Sequence, residues 1–217
     1  MSLQADCRLQ RGAWTLDLQL EVAAGETTVL LGPNGAGKSS VLAAIAGLLP
    51  IQSGQILLNG QTLDGGPSAA FVPAHLRRMG VLFQDLRLLP HLSALQNVAY
   101  PARCGGANRK SAEAIALDWL TRFEVPKALW NRRSAELSGG QAQRIALARA
   151  FAAHPACLLL DEPLSAADPE ARRNLRALLL AELQKLTGPR ILVLHNPEDT
   201  ETLAQRTHSI GEPQHAF

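Results

Sequence analysis

The sequence predicts an α/β fold: a core of mostly parallel sheet, an antiparallel β region towards the N-terminus, and an inserted α-helical subdomain. Three observations predict it. Strand and helix signals alternate at both ends of the chain. A glycine-rich loop joins a β-prone run to a helix, from Gly32 to Ser39. A block of helical signals, from about Asp85 to His154, interrupts the alternation.

Taken in order, Leu16, Leu18, Leu20 and Val22 alternate with Asp17, Gln19 and Glu21, the period of two that marks a half-buried strand. Ala23-Ala24-Gly25-Glu26 turns the chain, and Thr27 to Leu31 is a continuous β-prone run, as expected of a strand covered on both faces. Ser39 to Leu49 reads as a helix stopped near Pro50. Gln55 to Leu58 is a strand entering a turn at Asn59-Gly60, and Gly80 to Phe83 is another short apolar strand. Pro90, Pro101, Gly105-Gly106 and Pro126 are expected to break the helical block, which holds helices from Ser111 to Phe123 and from Gly140 to Ala153. Beyond it come strand Cys157–Asp161, helix Pro169–Leu186, strand Arg190–Leu194 and a short helix near Glu198–Ala204. Residues 206–217 show no period and are expected to form a loose tail, in which only Gln205–Ile210 could echo a last core strand. The expected organisation is one domain over residues 1–217. Its core is 1–84 with 155–205, its helical subdomain 85–154 and its tail 206–217.

Composition bounds the function. The chain has 217 residues, of which 47% are hydrophobic, enough for one sizeable core. Net charge is +2 and the arginines are scattered, so there is no electrostatic case for nucleic acid. Cys7, Cys104 and Cys157 are unclustered and match no metal site, and His75, His91, His154, His208 and His215 fit no metal spacing either. An odd cysteine count without a secretory leader points to a reducing cytosol. The longest apolar stretch, Val41 to Ile51, is shorter than the roughly 20 residues that span a bilayer. A cytoplasmic chain is expected, reaching a membrane only through a partner.

The chemistry sits in a few motifs. Gly32-Pro33-Asn34-Gly35-Ala36-Gly37-Lys38-Ser39 has the spacing of a phosphate-binding loop, with Ser40 following. Gly at 32, 35 and 37 lets the backbone curl around anionic oxygens with its N–H groups inward. Lys38 would place a cation on the β and γ phosphates, Ser39 would offer a hydroxyl to Mg²⁺, and the following helix adds the positive end of its dipole. Asp161 presents a carboxylate at the C-terminal end of a strand, where open parallel sheets bind ligands, and is a candidate Mg²⁺ partner. Glu162 follows on the γ-phosphate side, poised to polarise a water. Ser138-Gly139-Gly140-Gln141 opens a helix and so exposes N–H donors and a hydroxyl. That start reads as an ordinary N-cap or as a second anion site.

The ordered set of Gly32–Ser39, Gln84, Leu137-Ser138-Gly139-Gly140-Gln141 and Leu158–Glu162, closed by His195, resembles the ATP-binding-cassette (ABC) ATPases from Gly25 to about Ala204. The resemblance implies a P-loop NTPase (RecA-like) core, ATP with Mg²⁺, and a head-to-tail homodimer. In that dimer Ser138, Gly139, Gly140 and Gln141 grip the γ-phosphate of ATP on the second copy's phosphate loop. It makes Gln84 a sensor of Mg²⁺ and water, Asp168 a residue crossing the dimer interface, and His195 a switch that contacts the γ-phosphate and holds Glu162. Three departures stand out. Ala167 replaces a Leu before Asp168, Asn196 replaces an Asp after His195, and the adenine-stacking aromatic is displaced. Trp14 is the candidate for stacking, yet it shares the phase of Leu16, Leu18 and Leu20, which fits a core role.

Gln84 to Ser93, running on through Asn97-Val98-Ala99-Tyr100, looks like the importers of oxyanions, molybdate-type especially, at the place where a permease docks. As a plain sequence it also reads as an amphipathic core segment. The resemblance therefore implies an ATPase subunit on the inner face of the cell membrane, partnered by integral membrane permease subunits and a solute-binding protein. The alternative is a soluble ABC ATPase in assembly or repair. A P-loop kinase or GTPase would leave Leu137–Gln141 and the helical block without purpose.

Overall fold

Two five-stranded sheets organise the computed structural model, which describes every residue except Met1, Ala13, Ser68, Ala166, Ala167, Glu212, Pro213, Ala216 and Phe217, with Gln214 and His215 placed as backbone only. The strands are β1 (Leu3–Arg11), β2 (Trp14–Val22), β3 (Thr27–Leu31), β4 (Ser53–Leu58), β5 (Gln61–Asp64), β6 (Met79–Leu82), β7 (Cys157–Asp161), β8 (Arg190–Val193), β9 (Arg206–Ser209) and β10 (Gln214–His215). One sheet runs β10-β2-β1-β4-β5 and is antiparallel; the other runs β6-β7-β8-β3-β9 and is parallel. The helices are α1 (Lys38–Ile45), α2 (Ala94–Cys104), α3 (Arg109–Arg122), α4 (Gly139–Ala152), α5 (Pro169–Leu183) and α6 (Pro197–Leu203).

The parallel sheet divides two apolar cores. On β7, Cys157 and Leu159 face the antiparallel sheet and α1, among Leu9, Leu18, Val41, Ile45 and Ile56. Leu158 and Leu160 face the other way, into a core shared with Ile145 and Phe151 of α4 and Leu179 of α5. A strand so covered on both sides has no polar face to show, which is why it reads as an unbroken apolar run. Within the helical subdomain Trp119, Phe123 and Phe151 form an aromatic cluster with ring centroids 5.1–6.1 Å apart.

The structure corrects three expectations. Residues 206–217 are not wholly a loose tail: Arg206–Ser209 is an edge strand, paired parallel to β3 from Thr28↔Arg206 to Leu31↔Ser209. Its side chains are largely solvent-facing, so backbone pairing alone specifies it and no apolar period betrays it. Pro101 does not break its helix but lies inside α2. The helix is carried through by buried Ala94, Val98, Ala99 and Ala102, and by a capping box between Ser93 and Gln96. Strand β1 was not expected. Leu3, Ala5, Cys7 and Leu9 point inward and alternate with exposed neighbours, in register with β2 from Leu3↔Val22 to Arg11↔Trp14.

A buried arginine ties this frame to the phosphate-loop helix. Arg77 is 2% exposed and donates to the carbonyls of Ala44 and Ile45 at the end of α1, and to those of Leu63 and Val72. It thereby satisfies the orphan C-terminal carbonyl of Ile45 and adds a second donor to that of Ala44, which also accepts from Gly47 N (3.0 Å). Gly47 makes room for it: at φ 80° it has a left-handed backbone, and a Cβ there would lie 2.5 Å from Arg77 Nε.

Candidate active site

Strand β3 delivers the chain into the loop Gly32–Gly37, and α1 begins at Lys38. Lys38 is buried, and its Nζ donates to the carbonyls of Gly32 (2.8 Å) and Pro33 (2.9 Å), drawing the loop closed over its own cation. Gly37, at φ 97°, admits no side chain, since a Cβ would meet Trp14 Cζ2 at 2.2 Å. The indole therefore lies directly on the loop. It also packs against the antiparallel-sheet core, so Trp14 joins the core and the site at once. A cleft of about 740 Å³ opens here. Asn34, Gly35, Gly37, Lys38, Ser39 and Ser40 form one wall, Gln84, Asp161, Glu162 and His195 face them, and Trp14 and Arg11 stand at the hairpin edge.

The two carboxylates are held differently. Asp161 ends β7 and is buried. Desolvation raises its pKa, a hydrogen bond from the Ser39 hydroxyl opposes that, Glu162 adds to the rise, and His195 and Lys38 oppose it. Glu162 leaves the strand in a left-handed conformation at φ 49°. Its backbone is fixed on both sides: its N–H donates to Val193 O (3.1 Å), and its carbonyl accepts from Gln143 Nε2 (3.0 Å), Ser165 Oγ (3.0 Å) and Ser165 N (3.2 Å). The side chain turns back so that Oε1 lies 3.1 Å from Gln84 Nε2 and 3.0 Å from His195 Nε2. With Glu162 ionised, both partners must donate, which puts a proton on His195 Nε2. Oε2 then has no protein donor among the described residues.

The donor set suits a hard cation. The Ser39 hydroxyl and the Asp161 carboxylate meet, and Gln84 lies on the same wall. No group of three or more His, Cys, Asp or Glu residues able to cage a metal occurs among the described residues. A few oxygens without a protein cage fit Mg²⁺, which keeps waters and phosphate oxygens in its shell.

Ser138 to Gln141 line none of this cleft. Ser138 is the N-cap of α4: its Oγ accepts from Gln141 N (3.3 Å), and Gln141 Oε1 accepts from Ser138 N (3.0 Å). The helix start thus stands apart from the chain's own phosphate loop, as does Asp168. Asp168 caps α5 by accepting from Glu170 N (3.1 Å) and Ala171 N (2.9 Å). Ala167 lies outside the described residues. Asn196 caps α6 through Glu198 N at 2.8 Å, a bond that an Asp would accept equally well.

Residues 16–165, more than half of the chain, match the family described as ABC transporter. The chain belongs to that family. Among curated ABC relatives, it is 42% identical over 195 residues to the molybdenum import ATP-binding protein of Mycobacterium tuberculosis, covering 88% of this chain and 53% of the relative. It is 41% identical over 211 residues to an Fe(3+) ions import ATP-binding protein of Streptomyces avermitilis, covering 95% and 58%. It is 38% identical over 190 residues to a spermidine/putrescine import ATP-binding protein of Pseudomonas fluorescens, covering 88% and 51%. The chain spans about half the length of these relatives. The fold matches a solved dimeric ATP-binding cassette in a post-hydrolysis state bound to ADP and Pi, with TM-score 0.84, 24% identity, and coverage of 100% of this chain and 99% of that one.

Within this ABC site three residues had been given no role of their own from the sequence. Gln143 sits two places past Gln141 and is fully buried against the Glu162 carbonyl. Its place in the run Leu137-Ser138-Gly139-Gly140-Gln141-Ala142-Gln143-Arg144 was the signal. Arg11 reaches the cleft because it ends β1, whose alternation from Leu3 to Gln10 was legible. Arg149 lies in the last turn of α4 and grips the chain just after Gln84, a contact between segments 62 residues apart that no local pattern announces.

Proposed function

We propose that this chain binds ATP with Mg²⁺ and hydrolyses it to ADP and phosphate, and that the cycle powers a membrane importer. The supporting observation is Glu162, a carboxylate beside the phosphate loop whose Oε1 is occupied by Gln84 and His195 and whose Oε2 is open. In this reading the loop N–H groups and Lys38 hold the β and γ phosphates. Bound Mg²⁺, held by Ser39, Asp161 and Gln84, supplies charge neutralisation at the phosphates. Glu162 orients the attacking water through Oε2, and His195 keeps the carboxylate aimed while touching the γ-phosphate. Trp14 offers an aromatic surface to the adenine. Phosphoryl transfer of this kind depends on positioning and electrostatics, which a rigidly held Glu162 supplies.

Ser138, Gly139, Gly140 and Gln141 remain outside their own cleft, which supports a head-to-tail homodimer in which they and Asp168 reach ATP on the second copy. Import is supported by the named functions of the relatives and by a second cleft of about 710 Å³ on the helical subdomain. His91, Tyr100 and Arg103 line it, and Tyr100 is 48% exposed. A cytoplasmic helix of an integral permease would seat there, with a solute-binding protein delivering an oxyanion such as molybdate from the far side. No helix among the described residues is long and apolar enough to cross a membrane, so the proposed place is the inner face of the cell membrane, through that permease.

Glu162→Gln tests the hydrolytic reading. It should lower turnover about 10²- to 10⁴-fold, the contribution of a positioned base. ATP affinity should be kept, and an ATP-dependent dimer should accumulate on size-exclusion chromatography. Turnover at the parent rate would remove Glu162 from this role. Co-purification from detergent-solubilised membranes tests the coupling: recovery only with soluble partners would favour an assembly or repair ATPase instead. Uptake assays with the recovered permease then separate an oxyanion from iron or a polyamine.

A further inference from the structure

The chain after Gln84 forms a knuckle. Leu86 and Arg87 are both left-handed, at φ 56° and 45°, an unusual pair of consecutive non-glycine residues. Local bonds fold the knuckle: Leu86 N donates to Phe83 O (2.9 Å) and Arg87 N to Asp85 O (2.6 Å). The Arg87 guanidinium lies 3.9 Å from the Phe83 ring centroid and pairs with Asp85 at 3.1 Å. This conformation turns the carbonyls of Leu86 and Arg87 towards α4. There Arg149 takes both, Nη2 to Leu86 O at 2.5 Å and Nη1 to Arg87 O at 2.6 Å. Six residues earlier on the same helix, Gln143 holds the Glu162 carbonyl at 3.0 Å. One helix therefore grips the backbone of Glu162 itself and the chain two and three residues past Gln84, on either side of the Gln84–Glu162 hydrogen bond.

We infer that Arg149 is a positioning residue that sets Gln84 against Glu162, so that the helix whose start is Ser138 also fixes the distance between the two side chains. Arg149 touches no reacting atom; it acts through the knuckle. A guanidinium suits the task because its planar fork aims two N–H groups at two adjacent carbonyls in one fixed geometry, whereas an ammonium is a rotatable point charge. A shift of α4 would carry the knuckle with it and lengthen or shorten the 3.1 Å contact between Gln84 and Glu162.

The inference rests on the ATPase reading above, and a double-mutant cycle tests it. Steady-state turnover and MgATP affinity are measured for the parent, Arg149→Lys, Gln84→Ala and the double variant. Arg149→Lys should lower turnover about ten- to a hundredfold, the effect of slight misplacement in a positioned site, with ATP affinity within about twofold. The double variant should be no slower than Gln84→Ala alone, since removing Gln84 removes what Arg149 positions. Parent-like turnover in Arg149→Lys, or deficits that multiply, would overturn the inference. Arg149→Met removes both donors and should show the same masking with a larger single deficit. Amide hydrogen exchange of residues 83–90 in the nucleotide-free protein should accelerate in Arg149→Lys while α5 is unchanged, and unaltered exchange would refute the brace. If the parent itself neither binds nor hydrolyses ATP, the proposed function fails, and the exchange result alone decides the brace.

Discussion

Replacing Arg77 by Met should destabilise the protein severely with little change in its volume. The guanidinium makes four hydrogen bonds to carbonyls: Val72 at 2.7 Å, Ala44 and Ile45 at 2.9 Å, and Leu63 at 3.1 Å. Its charge faces Asp64 at 4.0 Å, with both side chains almost wholly buried. Met fills the aliphatic space, so the cavity contribution is small, and the loss falls on the uncompensated carboxylate and on the carbonyls of Ile45 and Val72, since those of Ala44 and Leu63 keep backbone donors. Breaking a buried pair by removing one partner costs about 3–5 kcal/mol. That is a large share of the roughly 5–15 kcal/mol that holds a typical domain together. At about 2–4 °C per kcal/mol for a chain of this size, Tm should fall by roughly 6–20 °C. Arg77→Lys should lose most of the same energy, because one nitrogen reaches few of four dispersed carbonyls. Asp64→Asn in the Arg77→Met background should recover part of the loss, since the carboxylate left without a cation is neutralised; the recovery is partial because Ile51 N and Gly66 N each donate to a separate carboxylate oxygen, and an amide keeps only one. Thermal melts and urea titrations at constant m measure all four proteins. A loss under about 1 kcal/mol in Arg77→Met, or no recovery on adding Asp64→Asn, would refute the reasoning.

Two further outcomes follow from the perturbed groups. Burial raises the folded-state pKa of Asp161 above its ordinary value of 3.8, so stability is fully present below that value and is lost as pH rises through the folded pKa. Asp161→Asn should therefore melt above the parent at pH 7 without nucleotide, with the gap closing towards pH 4; an Asn variant that melts lower throughout would contradict this. Burial pushes the thiols of Cys7 and Cys157 up to about 12, whereas Cys104 is exposed. Alkylation of native protein at pH 8 should label Cys104 alone, with Cys7 and Cys157 reacting only after unfolding, as mass spectrometry of the digested peptides would show.

What the sequence disclosed depended on how each contact is built. The phosphate loop, the acidic strand end and the start of α4 are local: their chemistry lies in consecutive residues, and the structure finds each in its expected strand–loop–helix setting. Gln84, Glu162 and His195 are far apart in the chain; the family resemblance alone implied that His195 holds Glu162, and the structure brings Gln84 to the same Oε1. Edge strand β9 was nearly invisible because an edge with exposed side chains is specified by backbone pairing. Pro101 misled because its cost to a helix is outweighed by burial of the α2 face. Arg77 and Arg149 could not be told from surface arginines, since their acceptors are carbonyls, which every residue has. Strand β1 is the exception: its alternation from Leu3 to Gln10 was in plain view.

The capping box at Ser138 has one more consequence. Ser138 and Gln141 satisfy each other's backbone N–H groups, so this helix end is held in shape while the N–H groups of Gly139 and Gly140 and the Ser138 hydroxyl hydrogen keep no acceptor among the described residues. An incoming phosphate would meet these donors while the 3.3 Å bond to Gln141 N stays in place. Engagement in the proposed dimer would then add charge-assisted bonds to a helix end already shaped to make them. In the proposed dimer, two copies without nucleotide would gain none of these bonds by meeting there, which makes the surface quiet at rest and responsive to an anion.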